Sequence, residues 1–254
     1  MKIINDLDIE KYPCLIKFMD LTKLLDFIMT GAFHFTRLDH FEDKLEAISQ
    51  RQLVKYFEHQ IKLPFSLIKE LPIEKRQKFY FASCWFAASR ESVGMWNLYS
   101  NSDSIALRFN ADDFITMWKN ELIKVTPSRN RIDRIYINSV EYKNYLEKKD
   151  ALSFKDENKI IGFHKDKSFE HEKEVRVLIK MITVKRIGNN IETLEDSPVD
   201  FYKIKYKNIK LIPFEIIFHP KMQNWKKENI ETILFKYGFK NVKCKNSELE
   251  KMLN

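Results

Sequence analysis

The chain has 254 residues, 44% of them hydrophobic, with only five glycines and seven prolines. That composition excludes a disordered chain and suits one large domain or two small ones. Five glycines leave no room for a Gly-rich phosphate loop or a dinucleotide fingerprint. The formal net charge of +8 turns the search for partners toward polyanions: nucleic acid, nucleotide phosphates or acidic surfaces.

The segment before the first strand has acidic residues and no apolar stretch of the signal-peptide kind. No run approaches the roughly 18 apolar residues of a membrane span, so a cytoplasmic protein with no membrane partner is expected. Residues 13–18 read as a strand, and Leu21, Leu24, Leu25 and Ile28 then recur at helical spacing over 20–29. Asp20 is placed to cap that helix and Gly31 to stop it. A strand over 32–36 follows directly. Residues 50–78 read as amphipathic helix punctuated by Pro64 and Pro72. An aromatic strand covers 79–86, a short helix 89–99, a strand 105–109 after the Asn-Ser-Asp-Ser turn, a helix 112–121 and a strand 135–142.

Residues 143–170 are densely charged and weakly periodic, which predicts a surface excursion or lid. Strands over 175–182 and 201–206 are expected to be joined across Gly188-Asn189-Asn190. A strand over 211–219, a helix over 225–237 ended by Gly238 and a last strand at Val242 complete the chain. The 20 phenylalanines read mainly as core packing. The expected architecture is α+β: a single domain over 1–254 around a split, strongly twisted mixed sheet with peripheral helices.

Cys14, Cys84 and Cys244 are odd in number and widely spaced. They predict free thiols in a reducing compartment and no metal site, with Cys84 as a small hydrophobe rather than a nucleophile. The most informative segment is Phe169-Glu170-His171-Glu172-Lys173-Glu174-Val175-Arg176. As extended chain it sets Glu172, Glu174 and Arg176 on one face and Val175, Val177 and Ile179 on the other. Two carboxylates offset by an arginine can hold a developing positive charge; an ordinary half-exposed strand with a cross-strand ion pair is the plainer alternative. Lys17 lies in an apolar strand and must be paired or snorkel outward. Trp96 and Tyr99, three apart on one helix, suggest a stacking wall for a planar ring near Ser83, with core packing as the alternative.

Taken in order, Lys17-Phe18, Phe35-Thr36-Arg37 with Phe41-Glu42-Asp43, Ser83-Cys84-Trp85, Met95-Trp96-Asn97-Leu98-Tyr99 and Glu172-Lys173-Glu174-Val175-Arg176 resemble the bacterial domain-of-unknown-function family 2971. The resemblance runs from about residue 12 to 220 and carries no established activity. At the level of fold, the strand–helix–strand opening and the Glu-x-Glu entering a late strand are similar to the ADP-ribosyltransferase-like group. That resemblance implies NAD as a substrate, with no prosthetic group, and suits an effector of toxin or phage-defence type. It implies Glu174 as the catalytic carboxylate, Glu172 assisting and Arg176 orienting. Lys17, Arg37 or Arg108 would meet the pyrophosphate, and Trp96, Tyr99 and Ser83 would hold the ring. Lys17 departs from the His or Arg of that group, because it cannot accept a hydrogen bond or present a guanidinium fork. A nucleic-acid-binding or RNA-modifying accessory protein, using the positive charge and exposed aromatics, is the second expectation, and a non-catalytic interaction protein the third. The oligomeric state is not legible.

Overall fold

The computed structural model describes residues 2–43, 77–119, 122–124, 130–144, 162–187, 190–194 and 199–253. Strand β1 (Lys2–Asn5) precedes β2 (Cys14–Met19), helix α1 (Leu21–Thr30) and β3 (Ala32–Arg37). Then come β4 (Tyr80–Ala87), α2 (Val93–Tyr99), β5 (Ile105–Asn110), α3 (Ala111–Lys119), β6 (Leu122–Lys124), β7 (Asn130–Ser139) and β8 (Glu141–Lys143). The chain continues through β9 (His164–Asp166), β10 (Glu174–Ile187), β11 (Asn190–Leu194), β12 (Phe201–Tyr206), β13 (Phe214–Phe218), α4 (Asn224–Lys236), β14 (Val242–Asn246) and α5 (Glu250–Leu253). The protein is thus α and β mixed, with parallel and antiparallel pairs in its sheet. The expected helical region over 50–78 lies almost entirely outside the described residues, and so does 145–161 of the expected lid. Among the described residues no helix is long and apolar enough to cross a membrane.

The chain divides into two compact units, each assembled from three separate segments. The first takes residues 1–6, 35–83 and 128–202; the second takes 7–34, 84–127 and 203–254.

In the first unit β7 lies between β1, parallel to it, and β10, antiparallel to it from Val175↔Ser139 to Thr183↔Asn130. The register shifts between Lys180 and Met181, at a bulge, and the Met181 amide donates to the Phe79 carbonyl. β10 runs on to Ile187 and turns back into β11. The expected hairpin between 175–182 and 201–206 is therefore replaced by β10–β11, because the strand is longer than its apolar run and finds its partner in the next five residues. β8 and β9 form a small parallel pair, Tyr142 opposite Lys165.

In the second unit β5 is flanked by β2 and β13, both antiparallel, and β13 by β14, parallel. Helix α1 shows why the opening was legible. The Asp20 side chain accepts from the Lys23 amide, Leu24, Phe27 and Ile28 turn inward, and Gly31 at φ +68° ends the helix with its N–H on the Phe27 carbonyl. In α3, Asp112 and Asp113 occupy the first turn and Lys119 the last, matching the helix dipole. The core is aromatic: Phe33 packs on Phe27, Trp85, Phe109 and Trp118 at ring centroids 4.8 to 6.3 Å apart.

Candidate functional site

The expected site residues fall in both units. Glu172, Glu174, Arg176, Arg37 and Ser83 belong to the first, and Lys17, Trp96, Tyr99 and Arg108 to the second.

Within the first unit the Glu-x-Glu-x-Arg segment builds a buried ion cluster. Residues Lys167–Glu172 form a 3-10 helix rather than a strand, so Glu172 does not reach the site by strand alternation. Lys173 takes the left-handed conformation at φ 40°, which costs free energy for a residue with a Cβ. That one residue redirects the chain into β10, which opens at Glu174. From Glu174 on, alternation holds, and Glu174 and Arg176 share a face. The face is internal, however: Arg176 has no exposed surface, and Val175, Val177, Leu178 and Ile179 are buried as well. The half-exposed strand foreseen as the plainer alternative is therefore not what forms.

Arg176 meets Glu174 fork to fork, Nε to Oε1 and Nη2 to Oε2, both at 2.8 Å. Its Nη1 donates to the Gly162 carbonyl at 2.7 Å, and its guanidinium carbon lies 5.6 Å from the centre of the Phe41 ring. Gly162 is required here. It sits at φ +92°, and a Cβ on it would come within 3.2 Å of both Leu38 and Leu178. Lys165, from β9, donates to Glu172 Oε2 at 2.6 Å and lies 3.9 Å from Glu174 Oε2. All four charged residues are buried. Two positive and two negative groups leave the quartet neutral, which is the condition for keeping ions out of water.

Tyr142 borders the quartet, and His164 precedes Lys165 on β9. The Tyr142 hydroxyl accepts from the Glu174 amide at 2.8 Å. Burial first, and then the two nearby glutamates, push its phenol well above the ordinary range against the pull of that hydrogen bond. His164 lies with Nδ1 3.4 Å from Glu141 Oε2. Burial pulls it down to about 4; Glu141 acts against that and Lys143 with it.

Lys165, Tyr142, Gly162 and the turn at Lys173 went unread in the sequence. Lys165 sits in a Lys-Asp-Lys triplet inside the stretch expected to be a lid. Within the described end of that stretch Gly162, Phe163 and Lys165 are buried and His164 and Asp166 half-buried.

The other candidate cations are partnered. Arg37 grips Asp39 through Nε and Nη2 at 2.6 and 3.0 Å, and also contacts Asp200 and the Val199 carbonyl. Arg108 is paired with Glu215, which Lys245 also meets. Lys17 donates to the Cys84 carbonyl at 3.0 Å and lies 5.2 Å from the Trp85 ring centre, so the lysine of the apolar strand is paired. Ser83 is buried within β4.

Trp96 and Tyr99 part company. Trp96 is 1% exposed and packs edge-on to Phe18 and His219, its indole N–H donating to Glu91 Oε2 at 2.8 Å. Tyr99, the last residue of α2, is 49% exposed. A spacing of three puts them about 60° apart, enough on a short helix to place one inside and the other outside. All three cysteines are free and half-buried, so Cys84 is less enclosed than a core hydrophobe. Among the described residues, no group of three or more His, Cys, Asp or Glu side chains is arranged to hold a metal ion.

Fold and cluster together define a mixed α/β protein whose most distinctive polar feature is this neutral, buried quartet of two carboxylates and two cations. The sequence profile of a family described as "Protein of unknown function (DUF2971)" matches residues 95–177. The match opens on Met95-Trp96 and closes on Glu174-Val175-Arg176-Val177. No curated protein and no solved structure matches the chain.

Proposed function

We propose that the protein cleaves the N-glycosidic bond of a nucleotide, with NAD⁺ cleavage or ADP-ribosyl transfer as the concrete form. What supports this reading is the way Arg176 grips both oxygens of Glu174 while Lys165 holds Glu172 beside it. Burying a carboxylate is costly unless it is paired, and here each has a cation within the quartet. When the bond between nicotinamide and ribose breaks, its electron pair leaves with the nicotinamide and the ribose becomes oxocarbenium-like. An ionised, fixed carboxylate is suited to that charge. Water or a target nucleophile then adds to the ribose carbon and loses a proton, and this reading assigns that proton to Glu172. Substrate engagement exchanges one arginine hydrogen bond on Glu174 for a ribose hydroxyl.

A second reading is favoured by the complete burial of Arg176: the quartet is a structural core element with no substrate. One experiment separates the two. Purified protein is incubated with NAD⁺, nicotinamide release is followed by chromatography, and Glu174→Gln is run beside wild type with its melting curve. Glutamine keeps the shape and one acceptor but removes the charge. The catalytic reading expects a folded variant about 100-fold or more slower. Wild-type protein that neither binds nor cleaves NAD⁺ removes the NAD assignment. A Glu174→Gln variant that unfolds, with Arg176→Ala doing the same, assigns the cluster to structure.

A further inference from the structure

The second unit carries exposed lysines and exposed aromatic rings where the end of helix α4 meets the segment before β13. Helix α4 ends at Lys236, and the chain turns through Gly238 at φ +82°. That turn is packed against the segment before β13. A Cβ on Gly238 would lie 3.9 Å from Lys210 Cδ and Nζ, and the Asn241 side chain donates to the Leu211 carbonyl at 3.4 Å. Two stretches more than twenty residues apart are thereby brought edge to edge.

What they present is unusual for a surface. Phe235 is 78% exposed, Leu211 68% and Tyr237 38%. Lys210, Lys236 and Lys240 are exposed among them. Several lysines of this unit are held in ion pairs, Lys203 with Asp26, Lys226 with Asp103, Lys227 with Glu250 and Lys245 with Glu215, whereas Lys210 lies 5.8 Å from the centre of the Phe239 ring. Exposed apolar side chains clustered in one place mark a contact surface more often than single ones do. The mixture of flat rings and exposed ammonium groups sets the chemistry of the partner.

We propose that this surface binds single-stranded nucleic acid, with Lys210, Lys236 and Lys240 on successive phosphates and Phe235 and Tyr237 stacked on bases. The overall charge of +8 supplies the long-range attraction. An anionic bilayer is the rival partner, and the outer face of α4 argues against it. Exposed Glu228 and Glu231 stand on that helix between Trp225 and Phe235, where a membrane-seated helix has a continuous apolar strip.

The test is fluorescence anisotropy with labelled 20-nucleotide oligo(dT) and oligo(U) between 50 and 200 mM salt. Wild type is expected to bind with a log–log salt slope of about −2, three phosphates at about 0.7 each. Replacing all three lysines by alanine should flatten the slope and weaken binding. Phe235→Ala with Tyr237→Ala should weaken binding about tenfold or more while leaving the slope in place, since stacking releases no counterions. All these side chains are exposed, so melting curves should match wild type, and Lys236→Glu alone gives a single-site check. The proposal is overturned if wild type fails to bind at 50 mM salt or if both sets of variants bind as wild type does. It is also overturned if the variants lose capture by phosphatidylserine-containing vesicles while keeping the oligonucleotide.

Discussion

The two units solve the problem of an interior in different ways. Among the largest side chains with almost no exposed surface, the second unit contributes Trp85, Trp96, Trp118, Phe27, Phe33, Phe109 and Phe114. The first contributes Phe35, Phe81, Phe163 and Tyr202, and with them Arg176. An aromatic core is held by area and shape, so its energy is spread over many weak contacts and tolerates a change of ring for aliphatic chain. A core organised around a guanidinium is held by charge balance, so it tolerates the loss of a whole pair better than the loss of one partner. The same number of deleted atoms should therefore have different consequences in the two places.

The largest contrast is expected from Arg176→Met. It leaves two buried carboxylates facing one lysine, at a cost of about 3–5 kcal/mol. For a chain of this length that lowers the melting temperature by roughly 10 °C. Adding Glu174→Met restores neutrality, and the double variant should melt above either single one. A double variant whose loss is the sum of the singles would show that charge balance is not what holds the first unit.

Acid should act on the first unit next, through one half-buried histidine. His164 has its folded pKa pulled down to about 4 from the ordinary 6.5 by burial. The unfolded chain takes up a proton as the pH falls below about 6.5, and the folded chain does so only near 4. Stability from this group is thus fully present above about 6.5 and is lost as the pH falls toward 4, by about 3 kcal/mol at most. Denaturant titrations at a series of pH values should show that slope in wild type and a shallower one in His164→Gln. Equal slopes would remove His164 from the acid response.

The smallest effect belongs to the aromatic core. Phe33→Leu changes the shape of a ring that touches four others, yet keeps most of its volume. A loss below about 1.5 kcal/mol, independent of pH, is expected from urea unfolding. A loss as large as that of Arg176→Met would mean that the second unit is the more exacting of the two.

The two units also differ in how much of them could be read beforehand. In the second unit the signals are local. Asp20 before Leu24, Phe27 and Ile28, Gly31 after them, and Gly238 closing α4 are each decided within a few residues, and the structure places helix and stop where the sequence does. The candidate cluster was half legible. Glu174 and Arg176 share a strand face, as alternation requires, whereas Glu172 arrives through a 3-10 turn and a left-handed lysine that no periodicity announces.

By itself the sequence determined the order of most strands and helices, the mixed α and β character, and which segment would carry the notable carboxylates. Tertiary structure alone decided that Arg176 would be wholly buried, that Lys165 would come from another strand to balance Glu172, and that Trp96 would go inward and Tyr99 outward. It also set Lys210 beside the turn that follows α4. The physical reason is one of range. Caps, turns and apolar periodicity are settled between residues a few positions apart, whereas the partner of a buried charge is chosen by desolvation and can lie anywhere the chain returns to the same place.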